Sequence, residues 1–140
     1  MSVLIGTVGL PRSGKSTWAR QRAKELGCPI VNPDSVRLAM HGQAYVPEAE
    51  KMVWAIAHYM VKALFIAGHE TVILDATNTV PQVRQQWHSK DWINAWKVLE
   101  TPLITCVERA REGDRLDLIP VIEAMAMNWD VSDLDGLFLA

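Results

Sequence analysis

The chain has 140 residues, 49% of them hydrophobic, with a net charge of −2 and two cysteines. That length bounds it to one domain, residues 1–140, and the apolar content excludes disorder. The slightly acidic balance excludes a general attraction to polyanions, so a nucleic-acid partner requires a local basic patch.

An apolar run at 2–8 is predicted as the first strand, followed by a helix from Lys15 to about Leu26 that Gly27 caps. Residues 29–32 form a short strand, and a short helix from Asp34 to about Met40 stops at His41 and Gly42. Pro47 opens a long helix to Ala67, closed by Gly68. Within it Met52, Ala55, Ile56, Tyr59, Met60, Ala63 and Leu64 recur at helical spacing, and this face is expected to be buried. Residues 71–74 are a continuous apolar strand ending at Asp75. Residues 81–91 are predicted helical and 97–100 make the fourth strand; helices at 103–112 and 118–129 complete the chain. Strands alternating with helices imply parallel pairing through right-handed crossovers. The expected fold is therefore α/β, a three-layer sandwich of about four parallel strands with helices on both faces.

Cys28 and Cys106 lie far apart without a C-x-x-C pair, and read as buried thiols in a reducing compartment. The apolar N-terminus leads directly into a Gly-rich loop rather than a signal peptide, and the run at 53–67 is broken by His58 and Lys62. A cytoplasmic protein with no membrane association is expected. Of the six tryptophans, Trp54, Trp87, Trp92 and Trp96 read as core or helix-packing residues; Trp18 stands close enough to the loop to lie near a ligand there. His41, His58, His69 and His88 show no ligand spacing and receive no catalytic role.

The chemistry concentrates at Gly9-Leu10-Pro11-Arg12-Ser13-Gly14-Lys15-Ser16, a complete G-x-x-x-x-G-K-[ST] phosphate-binding loop between a strand and a helix. Backbone N–H groups there converge on phosphates at a helix N-terminus. Gly9, Pro11, Arg12, Ser13, Gly14, Lys15, Ser16 and Thr17 are the expected nucleotide-binding residues. Lys15 is expected to reach the β/γ-phosphates, and the Ser16 hydroxyl to coordinate Mg²⁺.

Asp75 ends its strand as the acidic residue of a Walker B strand does, and is the second expected metal residue. Hydrolytic ATPases often follow that Asp with a Glu; here Ala76 follows, and an Asn-Lys-x-Asp guanine-reading motif is missing. Transfer of phosphate from ATP to an organic hydroxyl is thus favoured over hydrolysis. Asp34 and Arg37, three residues apart at a helix start, share a face beyond the second strand. A carboxylate there can accept the proton of an attacking hydroxyl, and the Arg can clamp an anionic acceptor. Arg109, Arg111 and Arg115 flank Gly113 and supply candidate cations over the migrating phosphate. The order of expectation is Arg111, then Arg115, then Arg109, which is assigned to the adenine or to the fold.

Together these residues resemble the 5′-kinase domain of the bacteriophage polynucleotide kinases and related P-loop kinases. The likeness is most specific at 9–20, through Trp18 and Arg20, and continues in Asn32-Pro33-Asp34 with Arg37. It extends through Asp75-Ala76-Thr77-Asn78 to Pro120 and Met125 in the last helix. The resemblance implies a P-loop kinase fold, with Lys15 and Ser16 holding the donor and Asp34 as general base. It also implies Arg37 on an acceptor 3′-phosphate and Asp75 near the attacking hydroxyl. The acceptor it implies is a nucleic-acid 5′ end; the same module also serves small molecules. Where the family has Gly, this chain has Arg12, for which a negative φ is expected. The alternative to an enzyme is an ATP-dependent binding module that uses the apolar tail at 134–140.

Overall fold

The computed structural model describes residues 1–134; the tail at 135–140 invoked above lies outside the described residues. Four parallel strands form one sheet in the order β2-β3-β1-β4, with β1 at Val3–Val8, β2 at Ile30–Val31, β3 at Thr71–Leu74 and β4 at Ile93–Val98. Val3 pairs with Thr71 on one side and Ile93 on the other, so β1 is buried between two neighbours. This is why its side chains are almost continuously apolar.

Alternate residues of β1 face opposite layers. Ile5 packs with Ile73 beneath Ala19 and Ala23 of α1 (Lys15–Leu26). Leu4 and Val8 join Val72 and Leu74 beneath Ala57 and Val61 of α3 (Glu50–Ile66). Gly6 lies on the same side, and a Cβ there would come within 2.3 Å of the Trp96 ring. The glycine makes room for an indole. Between these helices lies α2 (Pro33–His41), with the Asn32 side chain accepting from the Asp34 N–H at its N-cap. In the chain α4 (Pro81–Gln85) lies between β3 and β4, and α5 (Leu103–Glu112) and α6 (Ile119–Met127) follow β4.

Four expectations are corrected. The buried face of α3 is Val53, Ala57 and Val61, whereas Met52, Tyr59 and Met60 are exposed, Tyr59 to 74%. The helix is apolar nearly all round, so periodicity alone cannot choose its inner face. The helix expected at 81–91 ends at Gln85. Trp87 is drawn fully into the core, and its carbonyl accepts from Trp92 Nε1 at 2.9 Å. That turn lets β4 start at Ile93, earlier than expected, and end at Val98. The last helix begins later than expected, behind a 3₁₀ turn at Leu116–Leu118.

Trp18 also resolves as a packing residue. Its ring lies against the Ile5 and Ile73 cluster, with Lys97 Nζ 5.9 Å from the ring centre. No helix among the described residues is long and apolar enough to cross a membrane.

Candidate active site

The carboxyl ends of three neighbouring strands converge, as ligand sites of open α/β sheets do. The loop after β1 carries Gly9–Ser16, the turn after β2 carries Asn32 and Asp34, and β3 ends at Asp75. The loop closes tightly: the Ser13 N–H donates to the Leu10 carbonyl at 3.0 Å, and a Cβ on Gly9 would meet Ser13 Oγ at 2.5 Å. Gly14, at φ 100°, turns the chain into α1 in a conformation that glycine alone adopts without strain. Pro11 is half-buried and Thr17 exposed in the first helical turn.

Lys15 Nζ donates to the Leu10 carbonyl at 2.7 Å. Burial pushes its ammonium below the ordinary lysine range, while Asp75, Cys106 and Asp34 pull it back up. Ser16 Oγ donates to Asp75 Oδ2 at 2.7 Å, and Asn32 Nδ2 donates to the same oxygen at 3.2 Å. These donors fit the groups implied for the site. Ser13 Oγ is buried without a partner in the cradle, available to a phosphate oxygen. The Ser16 hydroxyl beside the Asp75 carboxylate is a hard oxygen pair suited to Mg²⁺.

Asp75 is held from behind. Thr7 Oγ1 donates to the Ala76 carbonyl at 2.7 Å and accepts from the Ala76 N–H at 3.0 Å. Asn78, at φ 47°, donates from Nδ2 to the Thr7 carbonyl at 2.9 Å, and the Gly9 N–H donates to the Thr77 carbonyl. Arg84 is only 1% exposed. It donates to the carbonyls of Asn78 and Asp130, at 2.8 and 2.7 Å, and to the Asp133 carboxylate. Neither Thr7 nor Arg84 carries a motif that would have announced it.

Asp34 and Arg37 stand together on α2, with Arg37 Nη1 donating to Asp34 Oδ1 at 2.6 Å. The guanidinium has a second partner that the sequence did not announce. Its Nε and Nη2 reach the two carboxylate oxygens of Glu50 at 2.9 and 2.8 Å, and its carbon lies 5.7 Å from the Trp54 ring centre. Burial works against the Arg37 charge, but the bonds to Glu50 and Asp34 outweigh it and hold its pKa above the ordinary range. The Asp34 side chain itself is 68% exposed, open to a substrate.

Among the three arginines, Arg109 is the one in contact with the phosphate loop. Its Nη1 donates to the Arg12 carbonyl at 3.1 Å. Arg111 is exposed on the last turn of α5. Arg115 is paired through two bonds with Asp117, and the charge of Asp34 reaches it as well. Arg12 itself has φ 67°, opposite in sign to the expectation. The loop requires a left-handed residue there, and the chain accepts the strain.

A family model described as an AAA domain, AAA_33, matches residues 4–115. The chain belongs to that family. Its four-stranded parallel sheet has the P-loop kinase-like α/β fold. Among solved structures it is similar to a chain of a Pnkp1/Rnl/Hen1 complex, with 29% identity and a TM-score of 0.70 over 77% of this chain and 38% of that one. A chain of a Pnkp1/Rnl/Hen1 RNA repair complex matches at 21% identity, TM-score 0.69, over 92% and 46%. A gluconokinase from Sinorhizobium meliloti 1021 matches at 15% identity, TM-score 0.68, over 99% and 80%. The chain thus spans less than half the length of the first two relatives.

Proposed function

We propose that this chain is a phosphotransferase that moves the γ-phosphate of ATP to a substrate hydroxyl. The observation that carries the proposal is the position of Asp34. Its exposed carboxylate stands two residues after Asn32, which shares Asp75 Oδ2 with Ser16 of the phosphate-loop helix. A base so placed stands at the strand-end edge that carries the donor cradle, paired with Arg37. Asp34 accepts the hydroxyl proton as the oxygen attacks the γ-phosphorus in line, and ADP departs. Lys15, with Arg109 and the neighbouring arginines, stabilises the charge on the transferring group. Ser16 and Asp75 would hold Mg²⁺, which would neutralise phosphate charge when bound.

A polynucleotide 5′-hydroxyl is the first choice of acceptor, supported by the likeness to chains of the Pnkp1/Rnl/Hen1 complexes. The second reading, a small hydroxyl metabolite, is favoured by the Arg37–Glu50 pairing, which occupies the Nε–Nη2 edge of the guanidinium. Nη1 already donates to Asp34, which leaves fewer donors for an acceptor anion.

The test is transfer of labelled γ-phosphate to 5′-hydroxyl oligonucleotides with and without a 3′-phosphate, alongside a panel of small polyols. Lys15→Ala should abolish transfer. Asp34→Ala should lower it by about 10²–10⁴-fold while preserving ATP binding. Wild-type transfer by Asp34→Ala would rule out this base.

A further inference from the structure

Arg12 is a left-handed residue without the exemptions that glycine or asparagine enjoy, at φ 67° in the middle of a phosphate loop. Backbone strain of this kind persists where the surroundings over-determine it and the side chain has a task. The task is visible in where the guanidinium goes. A Cβ built on Gly113 would lie 3.0 Å from Arg12 Nη2 and 3.4 Å from its Cζ, so the guanidinium rests against the bare Gly113 backbone. The Arg12 carbonyl meanwhile accepts from Arg109 Nη1 on the same side of the loop.

We infer that Arg12 is a positioning residue, a latch that fastens the arginine-bearing α5–α6 connection to the phosphate loop before nucleotide arrives. The carbonyl accepts from Arg109 Nη1 and the exposed guanidinium packs against Gly113, so one residue touches both ends of the last turn of α5. Asp117, four residues beyond Gly113, accepts two bonds from Arg115. Its carboxyl is held below the ordinary range chiefly by the Arg115 hydrogen bonds, and the Arg12 charge adds to this. Arg109 and Arg115 are thereby pre-placed, so nucleotide binding need not order them. The inference deepens the proposed function, because a pre-placed cation cluster serves a triphosphate.

Two variants separate the latch from a structural role. Arg12→Gly relieves the strain and removes the guanidinium from Gly113, while the carbonyl that accepts from Arg109 remains. The melting temperature should rise by about 3 °C while the KM for ATP rises about tenfold. Gly113→Ala leaves the loop backbone untouched, and its own φ of −86° accepts a side chain. Its methyl would crowd the guanidinium at 3.0 Å and the Arg109 carbonyl at 3.3 Å, so a KM increase in the same direction should appear without the gain in stability. The double variant should be no worse than either single one.

A readout free of activity is hydrogen exchange of amides 113–118 in nucleotide-free protein. Faster exchange in both variants supports the latch even where no acceptor is phosphorylated. Unchanged exchange in Arg12→Gly, or a stability loss in place of a gain, overturns it.

Discussion

Ser16 Oγ donates to Asp75 Oδ2 at 2.7 Å, so the first turn of α1 and the end of β3 meet at one oxygen pair. Replacing Asp75 by Asn keeps the shape and removes the charge. Phosphate transfer should fall by about 10²–10³-fold, and half-saturation should need more Mg²⁺. Ser16→Ala added to it should cost little further, since the proposed role gives both groups one ion. A titration of rate against Mg²⁺ reads this directly, and an unshifted curve for Asp75→Asn would remove the metal role.

The Glu50 fork on Arg37 makes a prediction about acid. Hydrogen bonds from Arg37 hold the Glu50 carboxyl below the ordinary glutamate range, against the opposing effect of its partial burial. A depressed carboxyl pKa adds stability above the unfolded value and loses it as pH falls through the folded one. Glu50→Ala should therefore cost about 2 kcal/mol at pH 7 and progressively less below about pH 4. Thermal melts of both proteins across that range are the measurement. A pH-independent difference would mean that the ion pair is not the source.

His58 predicts a second, milder dependence at higher pH. It stacks on Trp87 with ring centres 3.9 Å apart and planes within 6°, and burial pushes its imidazole below the ordinary range. The fold favours the neutral ring, so its contribution is full above about pH 6.5 and fades as pH falls from there. His58→Phe keeps the stack and removes the titration. Its stability should decline less than that of wild type between pH 7 and pH 5, measured by urea unfolding; identical slopes would exclude His58.

The site was legible where chemistry is written locally. The phosphate loop, Asp75, and the Asp34 and Arg37 pair each follow from residues in short range of a strand end, and the structure brings them together. Glu50 was invisible because its partner is thirteen positions away on another helix. Arg84 reads in sequence as an ordinary helical arginine, and only the packed fold buries it. The α3 face was misassigned because nearly every side of that helix is apolar, leaving the sheet to decide. The early start of β4 was missed for a related reason. Ile93 sits half-exposed on an edge strand, and the segment before it is shaped by Trp87 and Trp92 rather than by helical pattern.

Arg84 also governs the order in which the molecule can be completed. A guanidinium enters a dry interior only with its acceptors, since an unpaired buried charge costs several kcal/mol. Two of those acceptors belong to Asp130 and Asp133, far along the chain from the loop that the same side chain supports at Asn78. Closure of the C-terminal segment and setting of the turn behind Asp75 are therefore one event in assembly. The strand-end edge that carries Asp75 becomes rigid only when Asp130 and Asp133 have docked on Arg84.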